Sequence, residues 1–220
     1  MHLQVSDQPR FDIGFGGYTG NWGMHLAGLY ETEAQRDEIL FGFLRAGFDA
    51  GDLQLYCPTE RTEADFRQQF ACTCPHCNLD DPNQIEFFTA RELYYPDGVF
   101  SPWTMEMSLN SFFIRSQRRG RRNVRGAAEM AWALDDLPGV WDLMAYESRL
   151  NYFIPGKPWV SLCLYNLARF DGDAILGILQ THPYTISNGV ITENPFYQDP
   201  DQWLAENAPN YLSSPATSAD

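Results

Sequence analysis

The chemistry-bearing residues of this 220-residue chain fall into two groups. The first centres on Glu129, an acid inside the apolar run NVRGAAEMAWAL at 123–134. That run has almost no polar face and reads as a buried central strand of a parallel sheet. A carboxylate there is costly unless it is paired or serves a ligand. In open α/β sheets, ligands gather at the carboxyl ends of the strands. Tyr30, Glu31, Cys57, Glu129, Trp132 and Tyr165 fall at or just past predicted strand ends, while His182 and Glu193 come from a helix end and a hairpin. Tyr30, Glu31, Glu129, Trp132, Tyr165, His182 and Glu193 are the candidate ligand-binding set, with Glu129 and His182 setting ligand polarity. An apolar pocket with a few polar groups suits a small organic molecule. Each residue also has a plain structural role: a carboxylate tied to an Arg, Trp or backbone N–H, core aromatics, and a histidine complementing a helix C-terminus.

The second group is CTCPHC, with Cys72, Cys74 and Cys77 beside His76. Cys74-x-x-Cys77 has the spacing of a zinc ligand pair, and a structural zinc site takes four N or S donors. Cys57 would complete a Cys₄ set; His76 or a residue of a second chain are the alternatives. An unmetallated, redox-active thiol cluster fits the same spacing. Placed in the cytoplasm, the five cysteines are expected as thiols or metal ligands rather than disulfides.

Catalysis is the minor reading. The chain has no G-x-S-x-G and no H-E-x-x-H. Glu31, Glu129 and Glu193 are candidate acid/base groups, and Cys57 or Cys163 with His182 a candidate nucleophile and base. Cys163, in SLCLY, reads more simply as a small buried residue. Lys157 is the only lysine and no G-x-x-x-x-G-K-[ST] occurs, which disfavours a P-loop nucleotidase.

These residues must be positioned by an α/β framework. HLAGLY at 25–30 reads as the first strand, followed by a helix opened by T-E-A-Q at 32–35, a capping box. DLQLYC at 52–57 and QIEFFT at 84–89 are further strands. Ser101-Pro102 opens a helix with Met105, Leu109, Phe112 and Phe113 inward. After the run at 123–134 come a helix with Leu143 and Leu150 inward, the strand WVSLCLY at 159–165, and a helix from Asp171 to His182. Ser187-Asn188-Gly189 marks a C-terminal β-hairpin. Alternating strands and helices predict a mainly parallel sheet with helices on both faces. Residues 1–22 are expected as a loop or arm, 23–198 as one domain, and 199–220 as an acidic, partly disordered tail or binding arm in which Trp203, Leu204 and Tyr211 could dock.

The net charge of −14 repels phosphate backbones, so direct nucleic-acid binding is not expected. Arg115, Arg118, Arg119, Arg121, Arg122 and Arg125 form a local exception, read as a solvated helix end, with an anion or partner patch as the alternative. Apolar runs fall short of the ~20 residues that span a bilayer, and the N-terminus lacks the pattern of a secretory signal. A cytoplasmic protein is expected.

From about Met24 to Tyr197 the chain resembles the MEDS domain, a sensory domain of methanogens, methylotrophs and the dichloromethane-responsive repressor. The matching pieces are His25 with Tyr30-Glu31; Tyr94 and Pro96-Asp97-Gly98; Gly126, Glu129-Met130 and Trp132-Ala133-Leu134; Pro138-Gly139; Tyr146-Glu147 with Leu150-Asn151; Cys163 and Tyr165; Thr181-His182-Pro183; and Glu193-Asn194-Pro195 with Tyr197. The resemblance implies a RecA/KaiC-like three-layer core without a working phosphate loop. It further implies a non-catalytic regulatory role: sensing a small organic ligand and signalling to a partner protein. Without a recognisable kinase or DNA-binding segment, the chain would act alone or in trans, and a homo-oligomer is compatible with that. CTCPHC lies outside the family pattern. The alternatives are a RecA-like nucleotide-binding module or small-molecule enzyme using Glu129, and a zinc or thiol redox sensor.

Overall fold

The computed structural model describes residues 10–120 and 123–212. Its elements in chain order are β1 (Phe11–Asp12), β2 (Thr19–Gly20), β3 (His25–Tyr30), α1 (Glu33–Ala50), β4 (Leu53–Cys57), α2 (Glu63–Thr73), β5 (Ile85–Phe87), α3 (Ala90–Tyr94), α4 (Pro102–Arg118), β6 (Val124–Glu129), α5 (Leu143–Phe153), β7 (Trp159–Asn166), α6 (Gly172–Thr181), β8 (Tyr184–Ser187), β9 (Val190–Glu193) and α7 (Pro200–Asn207). Seven strands make one sheet in the order β5-β4-β6-β7-β3-β8-β9. All neighbours are parallel except β8 and β9. That hairpin turns at Asn188-Gly189, whose φ values of 50° and 71° are the left-handed pair such a two-residue turn requires.

Helix boundaries follow side-chain caps. Thr32 and Gln35 close a reciprocal capping box on α1, which stops at Gly51 in the left-handed region with φ 72°. Ser101 caps α4 ahead of Pro102, and Asp171 caps α6. Each such cap contributes about 1 kcal/mol.

Side chains alternate across each strand, so the sheet buries two distinct faces. One carries Ala27, Leu55, Ala128, Cys163 and Tyr165 against α4, α5 and α6. The other carries Leu26, Tyr30, Tyr56, Ala127 and Leu164 against α1 and α2. This three-layer α/β architecture is the one expected from the alternation of elements.

Several local expectations need correction. The run at 123–134 is not all strand: β6 ends at Glu129, and Met130–Leu134 forms a 3₁₀ turn. The middle strand is β7, not β6. Residues 10–22 are not a free arm. β1 and β2 pair, and Phe11 and Ile13 are buried in the α1–α2 layer. Nor is 199–212 loose: Asp199 caps α7, and Trp203 and Leu204 pack on Ala145 of α5. In both segments, aromatic and aliphatic anchors outweigh a polar average composition. Residues 1–9 and 213–220, the rest of these segments, lie outside the described residues.

The arginine cluster also divides. Arg115 and Arg119 pair with Glu86 at the surface, while Arg121 and Arg122 lie outside the described residues. Arg125 is interior. It donates to Asp52 at 2.7 Å with both side chains fully buried, and to the Asp12 carbonyl at 2.8 Å. Its guanidinium lies over the rings of Phe11 and Phe43. One cation thus ties the N-terminal hairpin, α1 and two strands together. Breaking a buried pair from one side leaves the other charge uncompensated, at a cost of about 3–5 kcal/mol. Arg125→Met should therefore lose stability of that order in urea denaturation, and a loss under about 1 kcal/mol would contradict the assigned role.

Candidate functional site

Besides the Asp52 that pairs with Arg125, Glu129 and Glu147 are fully buried at the sheet, one on each face. On the α1–α2 face, Glu129 ends β6. Its Oε1 accepts from the Tyr56 hydroxyl at 2.8 Å, and its Oε2 from the backbone N–H groups of Thr59 and Glu60 at 2.7 and 2.6 Å. Arg61 and Arg36 lie 3.4 and 3.7 Å from Oε1. The Thr59 hydroxyl donates to the Glu129 carbonyl. Glu129 therefore clamps the β4–α2 loop to β6, and a ligand would have to displace protein donors to reach it. Tyr30 lies on the same face and donates to Glu60, which also accepts from Asn166 and Arg169.

The β3–α1 turn beside this network is where a phosphate loop would sit in this topology. It consists of Glu31 and Thr32, whose N–H groups already donate to Gln35. The amides that would cradle an anion are thus used internally, which weakens the nucleotide alternative.

On the opposite face lies a polar cluster within an apolar layer. Cys163 and Tyr165 are two residues apart on β7 and so point the same way. Glu147 and Asn151 are four apart on α5 and share a helix face. His25 opens β3, the strand paired with β7, and His182 is the C-cap of α6. Glu147 Oε2 lies 3.1 Å from His25 Nε2, 3.4 Å from His182 Nε2 and 3.7 Å from Cys163 Sγ. Glu147 Oε1 accepts from Tyr165 at 2.9 Å. His25, Glu147, Cys163, Tyr165 and His182 are all buried.

The hydrogen bonds assign the imidazole tautomers. Asn151 Nδ2 donates to the carbonyls of Glu147, Ser148 and Thr181, so its Oδ1 is the atom facing His25 Nδ1 at 3.3 Å, and that nitrogen must donate. His182 Nδ1 faces the Ile178 carbonyl at 2.8 Å and must donate as well. A neutral ring then turns a bare Nε2 lone pair toward Glu147 in both cases. His182 Nε2 is buried without a hydrogen-bond partner.

Charge adds tension. Burial, then the charge of His182, pushes His25 down to about 4. Burial alone would raise Glu147, but the close approach of His182 and His25 outweighs it and brings it to about 2. These trends compete, because a neutral His25 bonded through Nδ1 to Asn151 has no proton for the carboxylate. The fixed tautomers favour the neutral ring. Burial, reinforced by Glu147, pushes the Cys163 thiol and the Tyr165 hydroxyl well up, so both hold their protons.

Cys163 also walls an apolar void of about 20 Å³ between the sheet, α4 and α5, lined by Leu93, Tyr94, Met105, Gly126, Tyr146 and Leu150 among others. A separate cleft of about 260 Å³ opens at the carboxyl edge of the sheet, between Thr59, Tyr95, Trp132, Asp135 and Arg169. Trp132 stacks on Tyr94, with centroids 4.3 Å apart, and its buried Nε1 has no hydrogen-bond partner.

The structure thus redistributes the seven candidate residues. Tyr165 and His182 meet on one face of the sheet, Glu129 and Tyr30 on the other, and Trp132 borders the edge cleft. Glu31 and Glu193 are exposed. Glu129 and His182, expected to set the polarity of a ligand, lie on opposite faces, because strand parity sends Glu129 away from the α5 face. Glu147, His25, Cys163 and Asn151 were absent from the set, although every one of them carries the family resemblance. The alternation of Cys163 with Tyr165 and the i,i+4 pair Glu147/Asn151 were the signals available.

The four-cysteine metal set is likewise not assembled. Cys74 and Cys77 are joined in a disulfide, contrary to the expectation of free thiols. Cys72 is exposed, with its thiol on the Gln68 carbonyl, and Cys57 is buried at the end of β4. His76 stays beside Cys74 and bonds Asp49.

The profile of the MEDS family, described as MEthanogen/methylotroph, DcmR Sensory domain, matches residues 24–183. The chain belongs to the MEDS family. Consistent with this, it is 24% identical over 164 residues to the transcriptional repressor DcmR of Methylorubrum extorquens, a match covering 73% of this chain and 58% of that protein. The chain thus spans little more than half the length of that relative. Solved structures share the fold. FlaH, a flagellar accessory protein of Methanocaldococcus jannaschii, superposes with a TM-score of 0.54 at 13% identity, over 88% of this chain and 92% of its own. The KaiC-like protein PH0186 of Pyrococcus horikoshii does so with a TM-score of 0.51 at 11% identity, over 71% and 70%. The MEDS domain here therefore has a RecA/KaiC-like core and a sensory or regulatory role.

Two outcomes test the Glu129 side of this MEDS sheet. Glu129→Gln should lower stability by about 2 kcal/mol through loss of charge-assisted hydrogen bonds; an unchanged melting temperature would argue against the clamp. Burial alone would raise Glu60, but hydrogen bonds from Tyr30, Arg169 and Asn166, with the charge of Arg36, hold it below the ordinary 4.5. Its contribution is therefore complete above pH 4.5 and lost as pH falls through the lower folded-state value. In thermal melts, the gap between wild type and Glu60→Gln should shrink below pH 4.5.

Proposed function

We propose that this MEDS domain is a non-catalytic receptor for a small organic molecule of a few heavy atoms, bound in the void between the sheet, α4 and α5, and that occupancy is passed to a partner protein. The observation that carries this reading is the wall of that void. Tyr94, Gly126, Tyr146, Leu150 and Cys163 line it, and each belongs to the series that carries the family resemblance. The lining is apolar apart from the thiol, the hydroxyls and the Trp159 indole, as suits a ligand with little polarity.

Size supplies a signalling argument. A void of about 20 Å³ holds one water-sized group. Any larger ligand has to push α4 or α5 outward, and a close-packed core passes such a shift on rather than absorbing it. α5 is well placed to relay it. Tyr146 and Leu150 face the void, while Ala145 packs on Trp203 and Leu204 of α7. Arg149 donates to the Tyr211 carbonyl at 2.6 Å and pairs with Glu106 on α4. Ligand-driven movement of α5 therefore reaches α7 and the segment beyond it. The DcmR relative is a transcriptional repressor; by that likeness, the output here is control of transcription through a partner. No described helix is long and apolar enough to cross a membrane.

Gly126→Ala tests the reading. Gly126 does not have a positive φ, and a Cβ there meets Trp159 Nε1 at 3.5 Å and Ser161 Oγ at 3.6 Å, both ordinary contacts. The variant should gain about 0.5–1 kcal/mol of stability from the unfolded state while filling part of the void. One- and two-carbon halocarbons and alcohols should raise the melting temperature of wild type and not of Gly126→Ala. A shift preserved in Gly126→Ala but lost in Trp132→Phe would move the ligand to the edge cleft, and no shift with any probe would remove the receptor reading.

A further inference from the structure

We infer that His25, Glu147, Cys163 and His182 form a buried binding site for one divalent transition-metal ion of the zinc class. This goes beyond the ligand reading and does not depend on it.

The donor geometry argues first. A tetrahedral ion with Zn–N and Zn–O bonds near 2.0–2.1 Å and a Zn–S bond near 2.3 Å spaces its N and O donors about 3.3 Å apart, and its sulfur about 3.5 Å from each of them. The observed separations are 3.1 Å for His25 Nε2 to Glu147 Oε2, 3.4 Å for His182 Nε2 to the same oxygen, 3.6 Å for Cys163 Sγ to His25 Nε2 and 3.7 Å for Cys163 Sγ to Glu147 Oε2. All four donor atoms lie within 4.8 Å of one another. Four of the six edges of a coordination tetrahedron are already in place.

The surroundings argue independently. Metal-bound histidines donate their other ring nitrogen to a carbonyl or carboxylate, which fixes the tautomer. Here His25 Nδ1 faces Asn151 Oδ1 and His182 Nδ1 faces the Ile178 carbonyl, while Glu147 Oε1 is held by Tyr165. Both imidazoles and the carboxylate have an outer partner, and their inner atoms are left toward the centre. The Nε2 atoms of both imidazoles converge with the Cys163 sulfur on one carboxylate oxygen, and His182 Nε2 is buried without a hydrogen-bond partner. A divalent ion bound to the Glu147 carboxylate and a Cys163 thiolate makes a neutral unit, which an apolar interior tolerates far better than a lone anion. The S–H bond of Cys163 breaks as the metal–sulfur bond forms, and the proton leaves to solvent. The mixed imidazole, thiolate and carboxylate set suits zinc or a similar borderline ion rather than magnesium or calcium. The metal expectation thereby moves from CTCPHC to the interior.

Cobalt(II) is the probe. The reduced full-length chain, stripped with a chelator, should take up one cobalt per chain with a thiolate-to-cobalt charge-transfer band in the near ultraviolet, and zinc should displace it. Cys163→Ser should abolish the band, and His182→Ala should weaken uptake at least tenfold. The triple variant Cys72→Ser/Cys74→Ser/Cys77→Ser should keep both band and stoichiometry, and it decides the matter even if Cys163→Ser does not fold. Wild type that binds no cobalt, a band that survives in folded Cys163→Ser, or a band lost in the triple variant would overturn the site. Halocarbon-induced melting shifts are read separately, so the metal site and the receptor reading fail independently.

Discussion

Everything on the α5 face of the sheet answers to one constraint: the Glu147 carboxylate lies in an apolar interior and must be compensated there. An unpaired charge in such a place costs more than a domain of this size has to spare. Five groups from four elements surround the carboxylate: Tyr165 and Cys163 from β7, which donate to it, His25 from β3, His182 from the end of α6, and Asn151, which orients His25, from α5 itself. The positions of β3, β7, α5 and α6 are therefore not independent. Moving α5 would separate the carboxylate from its β3, β7 and α6 neighbours at once.

Glu129 meets the same constraint by the opposite means. Its oxygens are bound by backbone N–H groups, a tyrosine and two arginines, all available at any pH at which the chain folds. Such a carboxylate is a rivet. Glu147 instead faces two imidazoles and a thiol. The contrast divides the labour between the layers. The α1–α2 layer, with Arg125 and Asp52 at its base, holds the fold together. The α4–α6 layer has the small void and the adjustable cluster, and it carries α7 on its outer side. The proposed receptor and relay use that second layer.

Much of the framework was legible in the residues. Periodicity, the Thr32 capping box, Ser101-Pro102 and Asn188-Gly189 located the main helices and the hairpin because these signals are local. The short segments were missed for the same reason. β1, β2 and α7 have little pattern of their own and are held by Phe11, Arg125, Trp203 and Leu204 across long sequence distances. The disulfide between Cys74 and Cys77 was likewise outside what compartment arguments about cysteine could supply.

The candidate site shows where sequence stops. By itself the chain determined an α/β sheet of parallel strands, the lack of a lysine-bearing phosphate-loop motif, and a family series that includes His25, Glu147, Cys163 and His182. Only the tertiary structure decided which of these residues share a face. Neighbouring strand residues point in opposite directions, so a strand ending one residue earlier or later exchanges one layer for the other. Glu129 and Tyr165 both lie near strand ends, yet the sheet stands between them. Helix α5 brings Glu147 to strand β7 only after the chain has crossed over the sheet, a contact set by packing that no local pattern encodes.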